Sequence, residues 1–333
     1  MTEPSSRSLE TARALIPRAA TPGTRGEAYA PANIALCKYW GKRDEDLKLP
    51  VTGSLSISMG PLGTRMRIEP AETDALVLNN APQSADGKAA TRLFAFLDLF
   101  RPPDLRLKVD SHNTIPMAAG LASSASAFAA AVKAMDALFG WNLSNVDKSI
   151  LARLGSGSAC RSVFDGFVEW RRGEEADGMD SIATPLHVDW PEFRVGILTV
   201  SEAEKPVGST EGMRRTMDTS ALYQSWPEQV AIDLPAIRAA VHNRDFPTLG
   251  RVAERNALAM HATMISAWPP VLYWQPETVQ ALRRVHALRH AGIEVYATMD
   301  AGPNVKLLFT DSDEAAVNKT FPDLVTVRPF DKI

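Results

Sequence analysis

Pro116-Met117-Ala118-Ala119-Gly120-Leu121-Ala122-Ser123-Ser124-Ala125-Ser126 lies between a strand-like run, Leu105–Asp110, and a long alanine-rich helical stretch. Small residues let a backbone approach a ligand closely, and the free N–H groups of a helix start favour an anion. The serines add hydroxyl donors and an N-cap. This is the composition of a phosphate cradle at the mouth of a helix. Taken alone, a well-capped core helix behind a glycine turn accounts for it equally well. The flanking sequence has to decide.

Upstream, Tyr29–Tyr39 reads as a strand entering a core, closed by Trp40-Gly41-Lys42 and a charged turn, Arg43–Lys48. Thr52–Met59, Thr64–Ile68 and Ala75–Leu78 alternate as strands, and Ala89–Phe100 has the aromatic and leucine face of a helix. The first 28 residues, rich in Ser, Thr, Pro and Arg, read as an extension outside the core, with a short amphipathic helix near Leu9–Ile16.

Downstream, Gly140 is a C-cap, and Ser144 to Asp147 outlines a capping box for Val146–Leu154. Gly155-Ser156-Gly157-Ser158-Ala159-Cys160-Arg161 opens a further short helix. Phe164–Arg171 and Ser181–Val188 read as a strand pair, and Phe193–Val200 begins a second domain. Its helices fall near Thr210–Met217, Gln224–Asn243, Phe246–Ala267 and Glu277–Ala291. Strands Glu294–Thr298 and Val305–Phe309 flank the turn Met299-Asp300-Ala301-Gly302-Pro303-Asn304. Strands and helices without regular βαβ alternation indicate α+β, and 333 residues indicate two domains.

Composition narrows the function. Hydrophobic residues make up 45% and charged residues 23%, as in ordinary globular proteins. The net charge of −3 offers no basic excess for nucleic acid or an anionic membrane. Residues 113–132 carry no formal charge, but they are mostly Ala, Ser and Gly, which drive bilayer insertion weakly. Cys37 and Cys160 are the 2 cysteines, so neither a disulfide framework nor zinc-ligand spacing exists, and a reducing cytoplasm is the expected setting. Walker A, Gly-x-Gly-x-x-Gly, Gly-x-Ser-x-Gly and His-Glu-x-x-His are all absent, which removes the main support for common dehydrogenase, hydrolase and zincin readings.

Four stretches, Ala30–Lys42, Pro116–Ser126, Gly155–Arg161 and Met299–Asn304, resemble in order and spacing the GHMP kinase superfamily, and within it the diphosphomevalonate decarboxylase family. The match is carried by Asn33-Ile34-Ala35, Lys38-Tyr39-Trp40-Gly41-Lys42, Ala118–Ser124 and Met299–Asn304. It extends to Gly208-Ser209-Thr210-Glu211-Gly212-Met213 and Thr219-Ser220, and covers about residue 28 to the end. It implies an N-terminal ribosomal-S5-like domain over 29–195 and a C-terminal ferredoxin-like α/β domain over 196–333, with the active site in the cleft between them. It also implies ATP, Mg²⁺, a mevalonate-derived substrate and a homodimer.

The implied reaction is ATP-dependent decarboxylation of mevalonate 5-diphosphate to isopentenyl diphosphate, through phosphorylation of the tertiary 3-hydroxyl. Asp300 would orient that hydroxyl and take its proton, although Asp before Ala-Gly-Pro-Asn is also good turn chemistry. Lys38 would face Asp300 and keep it ionised. Strand alternation puts Leu36 and Lys38 on one face, with Cys37 and Tyr39 on the other. Arg161, at a helix start, would hold the substrate carboxylate and tail, with Ser156 and Ser158 as hydroxyl donors.

Asn33, Tyr39, Lys42, Ser209, Thr210 and Met213 are the other expected substrate-pocket residues. Gly120, Leu121, Ala122, Ser123 and Ser124 would hold the ATP phosphates, with Ser124 near Mg²⁺ and no dedicated acidic ligand cluster. The segment between the Ala89–Phe100 helix and Ser111 would help hold the nucleoside. His261, Cys37 and Cys160 read as structural. A same-fold kinase that stops after phosphorylation, a non-catalytic sensor, and an enzyme for the monophosphate substrate remain open. Thr210 is neutral where a second basic group would suit a diphosphate.

Overall fold

The computed structural model describes residues 5–17, 21–115, 123–203 and 205–331. Its described elements, in chain order, begin with α1 (Ser6–Leu15), β1 (Gly26–Cys37), β2 (Lys42–Asp44), β3 (Leu49–Pro50), β4 (Ser54–Ala71), β5 (Ala75–Leu78), β6 (Ala81–Pro82), α2 (Lys88–Leu97), β7 (Arg106–Asn113) and α3 (Ser123–Phe139). Next come α4 (Asn145–Gly155), a 3-10 helix (Gly157–Val163), β8 (Phe167–Trp170), β9 (Ala183–Pro185) and β10 (Phe193–Leu198). The chain ends with α5 (Ser209–Thr219), α6 (Trp226–Asn243), α7 (Phe246–Ile265), α8 (Pro276–His290), β11 (Tyr296–Met299), β12 (Val305–Thr310), α9 (Glu314–Thr320) and β13 (Val325–Val327).

The first sheet is built around β4. Strand order is β6-β5-β7-β4-β8-β9, with β1 also antiparallel to β4. Sequence alternation suggested two strands where β4 runs on as one of 18 residues. Gly60, Pro61 and Gly63 look like a break, but the chain passes through them with only a register shift against β1. At Gly63 a side chain is excluded, since a Cβ would sit 2.3 Å from the Ala30 carbonyl oxygen. The ends of β4 have different partners: Ser54–Ile57 pair with β8, and Thr64–Ala71 with β7. The second sheet, β11-β12-β10-β13, is antiparallel throughout.

Helix α3 packs across β1 and β4, and its alanines Ala129, Ala130, Ala131 and Ala134 are fully buried. Gly140 follows it at φ 62, the left-handed C-cap conformation. Ser144 caps α4 by accepting from the Asp147 N–H at 3.1 Å. The two sheets share one apolar core: Ile34, Leu36 and Phe167 from the first pack with Phe193, Val195 and α7 residues such as Ala253 and Ala257. Phe167 and Phe193 meet edge to face at 5.5 Å. Each fully buried large apolar side chain contributes roughly 1.5–3 kcal/mol, so this shared core fixes the sheets, and the cleft at their junction, relative to one another.

The N-terminal segment departs from expectation. Its helix forms, capped by Ser5, but it docks on the core instead of lying outside it. Ala12 is fully buried with Leu47 and Leu49, and Arg7 pairs with Asp44. Among the described residues no helix is long and apolar enough to cross a membrane.

Candidate active site

The end of β1 and the turn after β11 come together in the cleft. Strand β1 leaves its ladder at Cys37, so the Lys38 N–H has no strand partner and donates to Asn256 Oδ1 at 2.8 Å. Asn256 Nδ2 donates in turn to Asp233 Oδ2 at 2.9 Å. A carboxylate can only accept, so this bond fixes which way the Asn256 amide points. Asp233 is fully buried and also takes bonds from Arg255 and Gln229. Helices α6 and α7 thus clamp the backbone of Lys38.

The Met299–Asn304 turn is held just as firmly. His261 Nε2 donates to the Asp300 carbonyl oxygen at 3.1 Å, because a carbonyl cannot donate. Burial pushes the His261 imidazolium down to about 4, with the charge of Lys38 adding to it, so the ring is neutral near pH 7. Thr278 donates to the Pro303 carbonyl at 2.8 Å, and Asn304 Oδ1 accepts from the N–H groups of Val200 and Ser201. His261 is structural, as expected, and its structural role is to hold the backbone of Asp300.

Lys38 Nζ lies 3.0 Å from Asp300 Oδ1, with the lysine side chain 2% exposed and the aspartate 29% exposed to the cleft. Lys306 Nζ lies 3.5 Å from the other oxygen, Oδ2. Burial alone would raise the Asp300 carboxyl, but Lys38, Lys306 and then Lys205 overcome it and hold the group well below the usual carboxylate range. Burial pulls the Lys38 ammonium down, and Asp300 opposes that pull.

Arg161 is buried in the 3-10 helix. Its Nε and Nη2 reach Asn33 Oδ1 at 3.3 and 3.2 Å, and Nη1 reaches Ser54 Oγ at 2.5 Å. Asn33 is oriented by its own bonds to Ser162 Oγ at 2.7 Å and the Ser158 carbonyl at 3.2 Å. With five N–H donors on the guanidinium, one on each terminal nitrogen remains for a ligand.

Lys38, Asp300, Arg161 and Asn33 line one cavity of about 410 Å³, together with Tyr39, Lys42, Ser124, Ser156, Ser158, Ser209, Thr210 and Met213. Every predicted site residue whose side chain is described therefore reaches the same space. Gly120, Leu121 and Ala122 lie outside the described residues, as does the side chain of Ser123; the backbone of Ser123 begins α3. Strand alternation does not separate Lys38 from Tyr39. The ladder has already ended with a register shift between Ala35 and Cys37, and both residues line the cavity. Lys42 is tied to Glu45 at 2.6 Å, and Met213 is largely core. Cys37 and Cys160 are fully buried free thiols.

The residues fit a phosphorylated ligand and a nucleotide. The Tyr39 hydroxyl is buried without a hydrogen-bond partner, its ring edge-on to Trp170 at 4.8 Å. Gly157 leaves room for it, since a Cβ there would lie 2.7 Å from that hydroxyl. A second cavity of about 250 Å³ shares Ser124 and Arg92 with the first and is walled by Leu76, Leu78, Leu93 and Phe128, with Asn79, Ser111 and Asn113 at its edge. An apolar slot rimmed by amides and opening at Ser124 suits a nucleoside. Its walls come from β4, β5, α2, β7 and α3, and the stretch between α2 and Ser111 reaches it at its end, through Ser111. No cluster of three acidic, His or Cys side chains stands ready for a metal among the described residues. A hard divalent ion would rest on phosphate oxygens, water and the Ser124 hydroxyl.

Sequence reading missed Lys306, Lys205, Lys48, Lys88 and Arg92. Lys48, Lys88 and Arg92 line the main cavity, and Lys88 and Lys205 line an adjoining one of about 500 Å³ beside Gly302–Asn304. Lys306 carried a usable signal: one lysine inside the apolar run Val305–Phe309, which β12 buries to 1% exposure.

Two family models match. Residues 30–183 match a diphosphomevalonate decarboxylase-like N-terminal domain, and residues 195–329 match a mevalonate 5-diphosphate decarboxylase C-terminal domain. Diphosphomevalonate decarboxylase of Aspergillus fumigatus is 40% identical over 323 residues, covering 89% of this chain and 79% of that protein. The structure of mevalonate diphosphate decarboxylase from Staphylococcus aureus superimposes with a TM-score of 0.85 at 35% identity, covering 92% of this chain and 95% of that one. A complex of the protein MDDEF with MVAPP, AMPPCP and magnesium gives 0.84 at 40% identity, covering 92% and 96%.

Proposed function

The chain belongs to the diphosphomevalonate decarboxylase family, and from that premise we propose how its own residues carry the reaction. The activity is ATP-dependent decarboxylation of mevalonate 5-diphosphate to isopentenyl diphosphate, with ADP, phosphate and carbon dioxide as co-products. ATP with Mg²⁺ supplies the phosphoryl group that makes the tertiary oxygen a leaving group. The electron pair released with carbon dioxide forms the alkene as that oxygen departs, so no carbanion sink is required.

Asp300 accepts the hydrogen bond of the 3-hydroxyl and aims its oxygen. The lysines on both carboxylate oxygens keep Asp300 ionised but weakly basic, so it takes up the proton only as the oxygen acquires its new bond. Lys38 offsets the charge that develops between carboxylate and phosphoryl group. Arg161 holds the substrate carboxylate with its remaining N–H donors, which Asn33 and Ser54 aim. Tyr39, Ser156, Ser158 and Ser209 line the way to the phosphorylated tail. Ser124 stands between the nucleoside slot and the cleft, where the transferring phosphate must pass.

The observation that carries this reading is the 3.0 Å contact between Lys38 and the partly exposed Asp300 at the wall of the cavity. Incubation with Mg²⁺, ATP and mevalonate 5-diphosphate tests it. Equimolar ADP, carbon dioxide and isopentenyl diphosphate are expected; ADP without carbon dioxide would leave a kinase.

We assign residues 29–195 and 196–333 to the two domains, a division supported by the two matched segments, with β10, from Phe193 onwards, belonging to the second sheet. The two buried thiols support a reducing cytoplasmic setting, and the family resemblance a homodimer.

A further inference from the structure

The Arg43–Lys48 turn is braced from both sides. The Leu47 N–H donates to Asp44 Oδ1 at 2.9 Å, and the buried Arg153 Nε donates to the Leu47 carbonyl at 3.0 Å. From outside, α1 holds it: Arg7 pairs with Asp44, and the Ser8 hydroxyl donates to the Asp46 carbonyl at 3.2 Å. Helix α1 precedes residue 30, where the matched N-terminal model begins.

The turn ends at Lys48, whose φ of 54 is a left-handed conformation costly for a residue with a Cβ. Its half-buried side chain lines the main cavity and a neighbouring one of about 400 Å³, both shared with Lys42, Arg92, Gly155 and Thr210. The other cations there are engaged. Lys42 pairs with Glu45 at 2.6 Å, and Arg92 lies 4.8 Å over the Phe128 ring and bonds the Gly155 carbonyl. Among the described residues no carboxylate pairs with Lys48. Glu45 and Asp46 also line the neighbouring cavity, but burial, then the charges of Lys42 and Arg92, outweigh them and push the Lys48 ammonium down to about 8. Thr210, across the same space, is neutral.

Resting on the decarboxylase reading above, we propose that Lys48 receives the terminal phosphate of the substrate's diphosphate tail, and so sets the preference for diphosphate over monophosphate. The brace from α1 holds the strained turn in the position that aims it.

Steady-state kinetics with mevalonate 5-diphosphate and the 5-monophosphate test this. Lys48→Asn suits the left-handed backbone and removes the charge. Its KM for the diphosphate is expected to rise about tenfold or more, with KM for ATP unchanged and the preference for diphosphate collapsing. The ratio is read within one preparation, so a partly unfolded sample cannot mimic it. Lys48→Arg should retain most of the preference. Arg7→Ala should raise the same KM and add little on top of Lys48→Asn. An unchanged preference in Lys48→Asn would overturn the proposal, as would a rise in KM for ATP instead. Failure of the wild-type enzyme to release carbon dioxide would overturn the reaction itself, and is read before any variant.

Discussion

Lys38 and Asp300, 262 positions apart in the chain, meet at 3.0 Å because two separate clamps hold them there. Asn256 grips the backbone of the lysine, and His261 that of the aspartate. Both clamps stand on α7, so one helix sets the distance between the two functional groups.

Removing one cation from this cluster should appear as a titration. In Lys38→Met the Asp300 carboxyl loses the first of the charges that hold it down. Its pKa should rise by about one unit or more. The acid limb of kcat that reports Asp300, expected well below the usual carboxylate range in the wild type, should then move up in the variant. A pH–rate profile checks this; unchanged acid limbs would separate Lys38 from the ionisation of Asp300.

Asn256→Ala should release the Lys38 N–H and leave buried Asp233 short of a donor. Stability should fall by about 1–3 kcal/mol, read by urea denaturation. Independently of that loss, kcat per folded molecule should drop with KM for ATP unaffected. Wild-type kcat in the folded fraction would make the clamp a matter of stability alone.

His261 makes a prediction about stability and acid. Its imidazole is neutral in the folded protein, with a pKa of about 4, against about 6.5 when unfolded. Between those values the unfolded state binds more protons, so stability rises with pH and is lost as pH falls from about 6.5 towards 4. The full effect is about 3 kcal/mol. Denaturation across this window should show the slope in the wild type and a shallower one in His261→Gln.

Arg161→Lys keeps the charge but loses the planar fork, and with it the bonds to Asn33 and Ser54. We expect kcat/KM for mevalonate 5-diphosphate to fall about a hundredfold or more, with ATP affinity little changed. Binding and steady-state assays would show it; equal losses for both ligands would remove Arg161 from the substrate carboxylate.

The sequence displays some of these relationships and conceals others. Gly-Ser-Gly-Ser before Arg161 and Asp300 in its turn are legible because their local chemistry is unusual. That Lys38 lies against Asp300 is legible only through the family resemblance, because the contact itself depends on how α7 packs against both. Lys306 is hard to single out because a lysine in an apolar strand resembles one that reaches out to solvent, whereas here its ammonium ends on the Asp300 carboxylate. The docking of α1 was hidden because small and polar contacts, Ala12, Ser8 and Arg7, hold it instead of a broad apolar face. Gly60–Gly63 reads as a break in β4 because glycine and proline usually end a strand, and the close approach of the Ala30 carbonyl explains why Gly63 sits within this one.

The most direct test of Asp300 is a single-turnover measurement on Asp300→Asn at saturating ATP and mevalonate 5-diphosphate. The side chain keeps its shape and loses its charge. The account predicts that ADP formation slows by about a thousandfold or more while both ligands still bind. ADP formation near the wild-type rate would contradict it.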